Sequence, residues 1–277
     1  MGPRSLIALV LAGLALAALG VSDPGGGAAR PPLTDEARTA SLRAPTWCSL
    51  HALGQDSAGE AGERVGLSAE GRPIRALVGR SSAPGPTILA VGSIHGSEPA
   101  GIEVVEGIDG RAPSRGRLVV VPNLNPDGLA RDTRTNARGV DINRNFAAGW
   151  RPIGMPGDPE HSGARPFSEP ESRVARELIR ELRPDVTIWF HQQVEPPLVR
   201  AWGGSVPAAR AYARLAGSPF ERLPWLPGSA PNWQNDRFGG MSSFVVELPW
   251  GEVGKATVTR HARAVLDLGD ELKRGDA

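Results

Sequence analysis

Residues 87–99 read TILAVGSIHGSEP, an apolar run followed by a loop that holds a histidine and a glutamate three residues apart. The first five residues predict a buried strand, because four of them are aliphatic and a proline and a glycine bound the run. Pro99 suits the first turn of a helix through Val105, where its missing N–H costs nothing. His95 and Glu98 therefore follow the carboxyl end of a strand, where ligand sites collect in open α/β sheets. We interpret this pair as half of a zinc site.

Further apolar runs alternate with helical patterns along the chain. A hairpin is predicted over 65–78 around a glycine-containing turn, and buried strands over 117–122, 185–190 and 243–248. A capping box at 168–171 opens a predicted helix to Leu182, and another helix is predicted from 255 to 272. Strands alternating with helices, without a sequence repeat, predict a single α/β domain with a mixed, mostly parallel sheet flanked by helices.

The first residues have the pattern of an export signal. Residues 1–20 carry one positive charge, an apolar run and small residues at the end, which predicts a secretory signal peptide. A membrane anchor is the alternative, but the run is shorter than the roughly 20 residues that cross a bilayer. Residues 21–45 are rich in glycine and proline and predict a flexible tether, so the folded domain is expected over 46–277. We expect a secreted or cell-envelope protein without stable membrane insertion after leader removal.

Composition limits the choice of partner. The formal net charge of +1 gives no reason to expect nucleic acid or an anionic surface as a partner. A dense polar stretch over 123–146 lacks helical or strand periodicity and is either a functional loop or a disordered one. His191 ends a predicted strand and, taken alone, is best explained as a hydrogen-bonded strand terminus. Glu247 lies inside an apolar run and needs a partner such as a cation or a metal-bound water.

These residues together resemble the M14 zinc carboxypeptidases. The family motifs are a His-x-x-Glu pair, an Asn-Pro-Asp-Gly turn, an Asp-x-Asn-Arg-Asn-aromatic segment, a later strand-end histidine and a glutamate near the end of the last strand. The chain has all five in family order, as His95 and Glu98, 125–128, 141–146, His191 and Glu247. Within the family it is most similar to the bacterial murein peptide amidases, which cut the γ-D-glutamyl-diaminopimelate bond. That finer match rests on compactness and on the segments 228–233 and 166–171.

The resemblance implies a metal site and a base. His95, Glu98 and His191 would bind one Zn²⁺, since zinc hydrolases use three protein ligands and leave a fourth position open. Glu247 would be the general base that takes the proton of the attacking water and returns it to the leaving amine.

The resemblance also assigns roles to the polar loop. Arg134 has the family spacing of the arginine that stabilises the oxyanion, with Arg131 as the rival. Asn143 and Arg144 match the pair that binds the terminal carboxylate of the substrate, a task suited to a bidentate guanidinium. Asp141 is expected to hold the loop rather than to touch substrate.

One feature departs from the family pattern. Many members place a tyrosine over the substrate shortly before the base, but the only tyrosine here, Tyr212, lies too far upstream. A loop residue such as Trp225 or Trp233 covers the site instead, or no residue does. This departure disfavours a digestive carboxypeptidase and favours the amidase subgroup.

The predicted function is that of a secreted zinc metallopeptidase hydrolysing the bond next to a C-terminal residue, with γ-D-glutamyl-diaminopimelate in murein peptides as the expected substrate. A general metallocarboxypeptidase and an aspartoacylase-type zinc deacylase are the alternatives among enzymes. A catalytically inactive binder of peptidoglycan fragments is the alternative of another class, although a base beside a metal has no use in a binding module.

Overall fold

The computed structural model describes residues 62–108, 110–192, 197–222 and 226–275. These residues belong to a compact unit that spans Pro45–Ala277. The predicted leader over 1–20 and the predicted tether over 21–45 lie outside the described residues. In the part of the chain described, no helix is long and apolar enough to cross a membrane.

The described residues contain strands and helices that alternate along most of the chain. The strands are β1 (Glu63–Leu67), β2 (Pro73–Arg80), β3 (Thr87–Val91), β4 (Arg117–Val121), β5 (Val186–Gln192), β6 (Leu198–Ala201), β7 (Phe220–Arg222) and β8 (Ser242–Leu248). The helices are α1 (Ala100–Glu106), α2 (Pro126–Arg131), α3 (Pro170–Leu182), α4 (Val206–Ala216), α5 (Ala230–Arg237) and α6 (Lys255–Gly275). Short 3₁₀ turns lie at Ile142–Arg144 and Gly203–Ser205.

The strands form a mixed sheet with parallel pairing at its centre. Its eight strands lie in the order β1-β2-β4-β3-β5-β8-β6-β7. β3 pairs in parallel with β4 and β5, β5 with β8, and β6 with β7. β1 with β2, β2 with β4 and β6 with β8 are antiparallel. The predicted fold class is confirmed.

Alternation along the strands divides the apolar side chains between two cores. On β3, Ile88 and Ala90 enter one core while Leu89 and Val91 enter the other. Helices α1, α4 and α6 contribute to the first core, and α3 and α5 to the second. Covering both faces of the sheet explains why its central strands read as continuous apolar runs.

The Asn-Pro-Asp-Gly stretch begins a short helix, so its interpretation as part of a polar loop without helical structure is wrong. Asn125 Oδ1 accepts a hydrogen bond from the Gly128 N–H at 2.9 Å, and Pro126 occupies the first turn of α2. An asparagine cap followed by proline is a helix start as well as a turn signal. The segment ends at Asp132, which has a left-handed backbone with φ of 52°.

The predicted capping box before α3 is also wrong, although the helix itself is confirmed. The cap position is Glu169, and no side chain caps the first turn. The Glu171 carboxylate instead accepts hydrogen bonds from the Ala69 N–H at 2.8 Å and from Asn136 Nδ2 at 2.9 Å. Tertiary donors therefore replace the local contact that the sequence pattern predicted.

Candidate metal centre and active site

The predicted ligands come from two neighbouring parallel strands. The loop after β3 carries His95 and Glu98, and the Glu98 N–H donates to the His95 carbonyl at 3.1 Å in a tight turn. Ser93 Oγ donates to the same carbonyl at 2.7 Å. His191 is the penultimate residue of β5, which pairs with β3. The carboxyl ends of both strands therefore deliver these side chains to one edge of the sheet.

His95, Glu98 and His191 form a buried group that could hold one metal ion, with their ligand atoms all within 4.8 Å of one another. His95 Nδ1 lies 2.9 Å from Glu98 Oε1, and His191 Nδ1 lies 3.0 Å from Glu98 Oε2. The two Nδ1 atoms face each other at 3.2 Å. Two lone pairs at that distance repel unless a proton or a cation lies between them. Two imidazoles and one carboxylate are also a donor set that suits zinc, so these residues fit the predicted ion.

Asp141 fixes the orientation of His95. His95 Nε2 donates to Asp141 Oδ1 at 3.0 Å, which leaves Nδ1 to face the metal position. Burial raises the pKa of Asp141, but His95 and Arg134 outweigh it and hold that pKa well below its usual range. Burial likewise opposes ionisation of Glu98, yet the two histidines lower its pKa strongly. Both carboxylates are therefore charged at neutral pH, and Asp141 acts on a ligand directly rather than only holding the loop.

Glu247 lies next to His191 in the sheet. The two residues are register partners on the parallel strands β8 and β5, so their side chains leave the same face of the sheet. The Glu247 side chain is 16% exposed, and its Oε1 lies 3.5 Å from Nη1 of Arg200 on β6. Arg200 is thus a cation of the predicted kind beside this carboxylate. The sequence did not identify it, because it lies in a short strand without a clear pattern. Arg200 also pairs with Glu221 at 3.1 Å.

The structure separates the two candidate oxyanion arginines. Arg134 Nη1 donates to Glu98 Oε1 at 3.0 Å, and its Nε donates to Asp141 Oδ2 at 3.0 Å. Arg131 instead pairs with Glu70 in the turn of the β1–β2 hairpin. Arg134 is therefore the one that contacts the metal-binding group, while its oxyanion role stays a prediction.

Asn143 is tied into the site by both ends of its amide. Its Nδ2 lies 3.3 Å from His191 Nε2, and its Oδ1 accepts from the Ala230 N–H at 2.9 Å. The segment 228–233, which carried part of the family resemblance, begins α5 and supplies that N–H. Asn143 therefore contacts a predicted ligand, and its binding of a substrate carboxylate stays a prediction.

Arg144 is largely buried and paired with a carboxylate that sequence reasoning missed. Its Nη2 donates to Glu160 Oε1 at 2.7 Å, and its Nη1 donates to the Asn143 carbonyl at 3.2 Å. Gly228 packs against its backbone so closely that an added Cβ would lie 2.2 Å from the Arg144 carbonyl oxygen. Glu160 lies in a Pro/Gly-rich stretch without periodicity, so no local signal identified it. The carboxylate-binding role of Arg144 stays a prediction.

Neither Trp233 nor Tyr212 takes the place of the family tyrosine. Trp233 is buried against Phe146, Phe167 and Phe238 in the second core, so of the alternatives left open, a cover by Trp233 is ruled out. Trp225 lies outside the described residues. Tyr212 is buried on α4, where its hydroxyl lies 2.9 Å from Nδ1 of His261 on α6.

Comparisons with known proteins agree with this geometry. A family model described as zinc carboxypeptidase matches residues 114–197, a range that includes Arg134, Asn143, Arg144 and His191. Carboxypeptidase B from Astacus astacus is 32% identical over 160 residues, which cover 47% of this chain and 53% of that enzyme. The chain thus spans about half the length of this relative.

Two further similarities are to bacterial proteins. Murein peptide amidase A from Escherichia coli K12 is 28% identical over 193 residues, which cover 63% of this chain and 76% of that protein. The crystal structure of a murein-tripeptide amidase from Escherichia coli O157 superposes with a TM-score of 0.59 at 23% identity, covering 74% of this chain and 92% of the other. The structural similarity extends the shared fold over most of the described residues.

Proposed function

We infer that this chain belongs to the M14 family of zinc carboxypeptidases, and we propose that it hydrolyses the amide bond next to a C-terminal residue of a peptide. The family uses zinc, and His95, Glu98 and His191 form the group that can hold one ion. The observation that carries the proposal is the buried group itself, with Asp141 behind His95 and Glu247 beside His191.

The ion, when bound, would polarise the scissile carbonyl and lower the pKa of a water molecule. We assign to Glu247 the transfer of a proton from the attacking water to the leaving amine. Its partial exposure leaves the carboxylate accessible to substrate, and the Arg200 guanidinium at 3.5 Å restricts its orientation. The neighbouring position of His191 in the register supports this role.

Two arginines would bind the charged parts of the substrate. Arg134, which contacts Glu98 and Asp141, is proposed to stabilise the negative charge that develops on the carbonyl oxygen. Arg144 is proposed to bind the terminal carboxylate, with Asn143 beside it. The burial of Arg144 supports this role, because a guanidinium with restricted access to water binds a carboxylate more strongly.

The proposed substrate is γ-D-glutamyl-diaminopimelate in cell-wall peptides. The similarity to murein peptide amidase A supports this choice, since the alignment covers 76% of that protein. The similarity to carboxypeptidase B supports a general metallocarboxypeptidase as the second candidate. We also propose a secreted or cell-envelope location, which is supported by the leader pattern of residues 1–20 alone.

The test is hydrolysis of L-Ala-γ-D-Glu-diaminopimelate by the zinc-loaded protein, followed by mass spectrometry. The Glu247→Gln variant is the matched control, because it keeps the size of the side chain and the metal ligands but removes the base. We expect release of diaminopimelate by the parent protein and a loss of at least about a hundredfold in the variant. Peptides with ordinary C-terminal residues and N-acyl amino acids test the other candidates. Cleavage of these alone would refute the murein assignment, and equal activity of the variant would refute the role of Glu247.

A further inference from the structure

Glu160 places a negative charge on the residue that is proposed to bind the substrate carboxylate. Its Oε1 accepts the 2.7 Å hydrogen bond from Arg144 Nη2, and the Glu160 side chain is 56% exposed while that of Arg144 is 11% exposed. The Arg144 guanidinium is therefore in contact with a carboxylate that is exposed to solvent. The same charge also acts on Arg134.

The backbone that follows Glu160 is hydrogen-bonded to the segment 141–145. The next residue, His161, accepts a hydrogen bond from the Asp141 N–H at 2.8 Å, and the Ser162 carbonyl accepts one from Asn145 Nδ2 at 2.9 Å. Asp141 in turn contacts His95. These hydrogen bonds hold the backbone next to Glu160 in a fixed position relative to the metal-binding group.

A carboxylate in this position changes which ligands Arg144 can bind. A substrate carboxylate on the same guanidinium would lie close to the Glu160 carboxylate, and two like charges at short range repel. An ammonium group on the same ligand would contact Glu160 and turn that repulsion into attraction. Rejection of an uncompensated anion together with attraction of a cation is an effective way to build specificity.

We propose that Glu160 is a specificity residue that selects a leaving residue carrying an ammonium group in its side chain as well as a carboxylate. The proposal rests on the proposed function, because it takes Arg144 as the group that binds the carboxylate. Diaminopimelate and lysine both have the required chemistry. A leaving residue with an apolar or purely anionic side chain does not.

The test compares substrates that differ by one ammonium group. The first pair is L-Ala-γ-D-Glu-diaminopimelate and its analogue with 2-aminopimelate as the last residue. The second pair ends in lysine or in norleucine, and it shows whether any side-chain ammonium serves or only that of diaminopimelate. Each pair is assayed with the parent protein, with Glu160→Gln, and with Glu177→Gln as a control. Glu177 also pairs with an arginine, Arg176 at 2.7 Å, but on α3.

We expect the parent protein and the Glu177→Gln control to favour the ammonium-bearing member of at least one pair by about fivefold in kcat/KM, the scale of a partly exposed ion pair. In Glu160→Gln the ratio should fall to about one, mainly through KM. An unchanged ratio in Glu160→Gln would overturn the proposal. An equal rise in kcat/KM for both members would also overturn it, because Glu160 would then only obstruct Arg144.

A binding measurement separates this proposal from the proposed function. If none of the four peptides is cleaved by zinc-loaded parent protein, the proposed function fails. Calorimetric titration with free diaminopimelate and 2-aminopimelate then still tests Glu160. If the parent protein binds diaminopimelate more tightly than 2-aminopimelate and Glu160→Gln does not, the role of Glu160 is supported. If neither compound binds, or if the ratio of the two affinities is the same in both proteins, the proposal is overturned.

Discussion

Replacing Asp141 by asparagine should weaken zinc binding without touching a ligand. Both oxygens of the Asp141 carboxylate are in use, because Oδ1 accepts from His95 Nε2 at 3.0 Å and from the Asn143 N–H at 2.8 Å, while Oδ2 accepts from Arg134 Nε at 3.0 Å. An amide has only one oxygen, so its NH₂ group must face a donor on one side or the other. The substitution therefore removes the negative charge that holds His95. It also places the new NH₂ group against another N–H donor, so that neither of the two has an acceptor there.

The expected loss follows from the place of this contact behind a ligand. Removing a partner that orients a ligating histidine weakens metal binding by about 10- to 100-fold. This corresponds to about 1.4 to 2.8 kcal/mol. We expect Asp141→Asn to lie in the upper half of that range, because Asp141 is fully buried and no water can take over its contacts.

Zinc dissociation constants can be measured by competition with a fluorescent chelator at pH 7, at a temperature where circular dichroism shows each protein to be folded. Asp127→Asn is the matched control, since Asp127 is also a buried aspartate bound to an arginine and to a backbone N–H. Its partners lie in the β1–β2 hairpin, so zinc binding should change by less than about twofold. A folded Asp141→Asn protein with parental zinc affinity would refute the reasoning, as would an equal loss in Asp127→Asn.

Three further changes test other parts of the structure. Arg200→Gln should lower kcat about fivefold with little change in KM, because it removes the partly exposed guanidinium beside Glu247. Steady-state kinetics measure both constants, and an effect on KM alone would contradict this prediction. Gly228→Ala should abolish activity while the protein stays folded, since its φ of +71° and the closeness of Arg144 leave no room for a Cβ; parental kinetics would contradict it. Burial lowers the pKa of His261 to about 4 from 6.5, so below pH 6.5 the unfolded chain takes up a proton that the folded protein refuses. Stability should be complete above pH 6.5 and fall by at most about 3 kcal/mol as the pH drops to about 4. Thermal melts across this range should fall more steeply for the parent protein than for His261→Gln, and parallel curves would contradict the assignment.

Strands and loops whose limits are marked by neighbouring residues could be predicted from the sequence. The apolar run at Thr87–Val91 lies between a proline and a glycine, so the strand and the loop that carries His95 could be placed before any contact was known. His191 is different. Its neighbours in sequence gave no reason to prefer a ligand over a hydrogen-bonded strand end, and only the order of the family motifs related it to the other two.

Spacing alone could not decide between the two loop arginines. Arg131 ends α2, and the left-handed backbone of Asp132 then redirects the chain, so that Arg134 reaches Glu98 while Arg131 reaches Glu70. A change of direction at one residue is a property of the folded backbone. The sequence therefore predicted that one of these arginines enters the site, and the tertiary structure determined which one contacts the ligands.

Contacts between distant segments account for most of what was missed. Short strands such as β6 and β7 contain too few residues to show a period, so the position of Arg200 beside Glu247 could not be foreseen. Glu160 lies in a stretch that reads as surface loop, and it matters only because its neighbours bind back to the site loop. Arg200 and Glu160, which contact predicted site residues from other segments, could therefore not be identified from the sequence.

The pairing of β3 with β5 also determines when the ion can enter during folding. His95 and His191 are 96 positions apart, and the strands that carry them pair in parallel at the centre of the sheet. Contacts between such distant segments form slowly, because a long loop must close before they can form. A nascent or refolding chain therefore has no complete zinc site until the centre of the sheet is assembled. Zinc then binds the finished fold and stabilises it by mass action, so it should slow unfolding without accelerating folding.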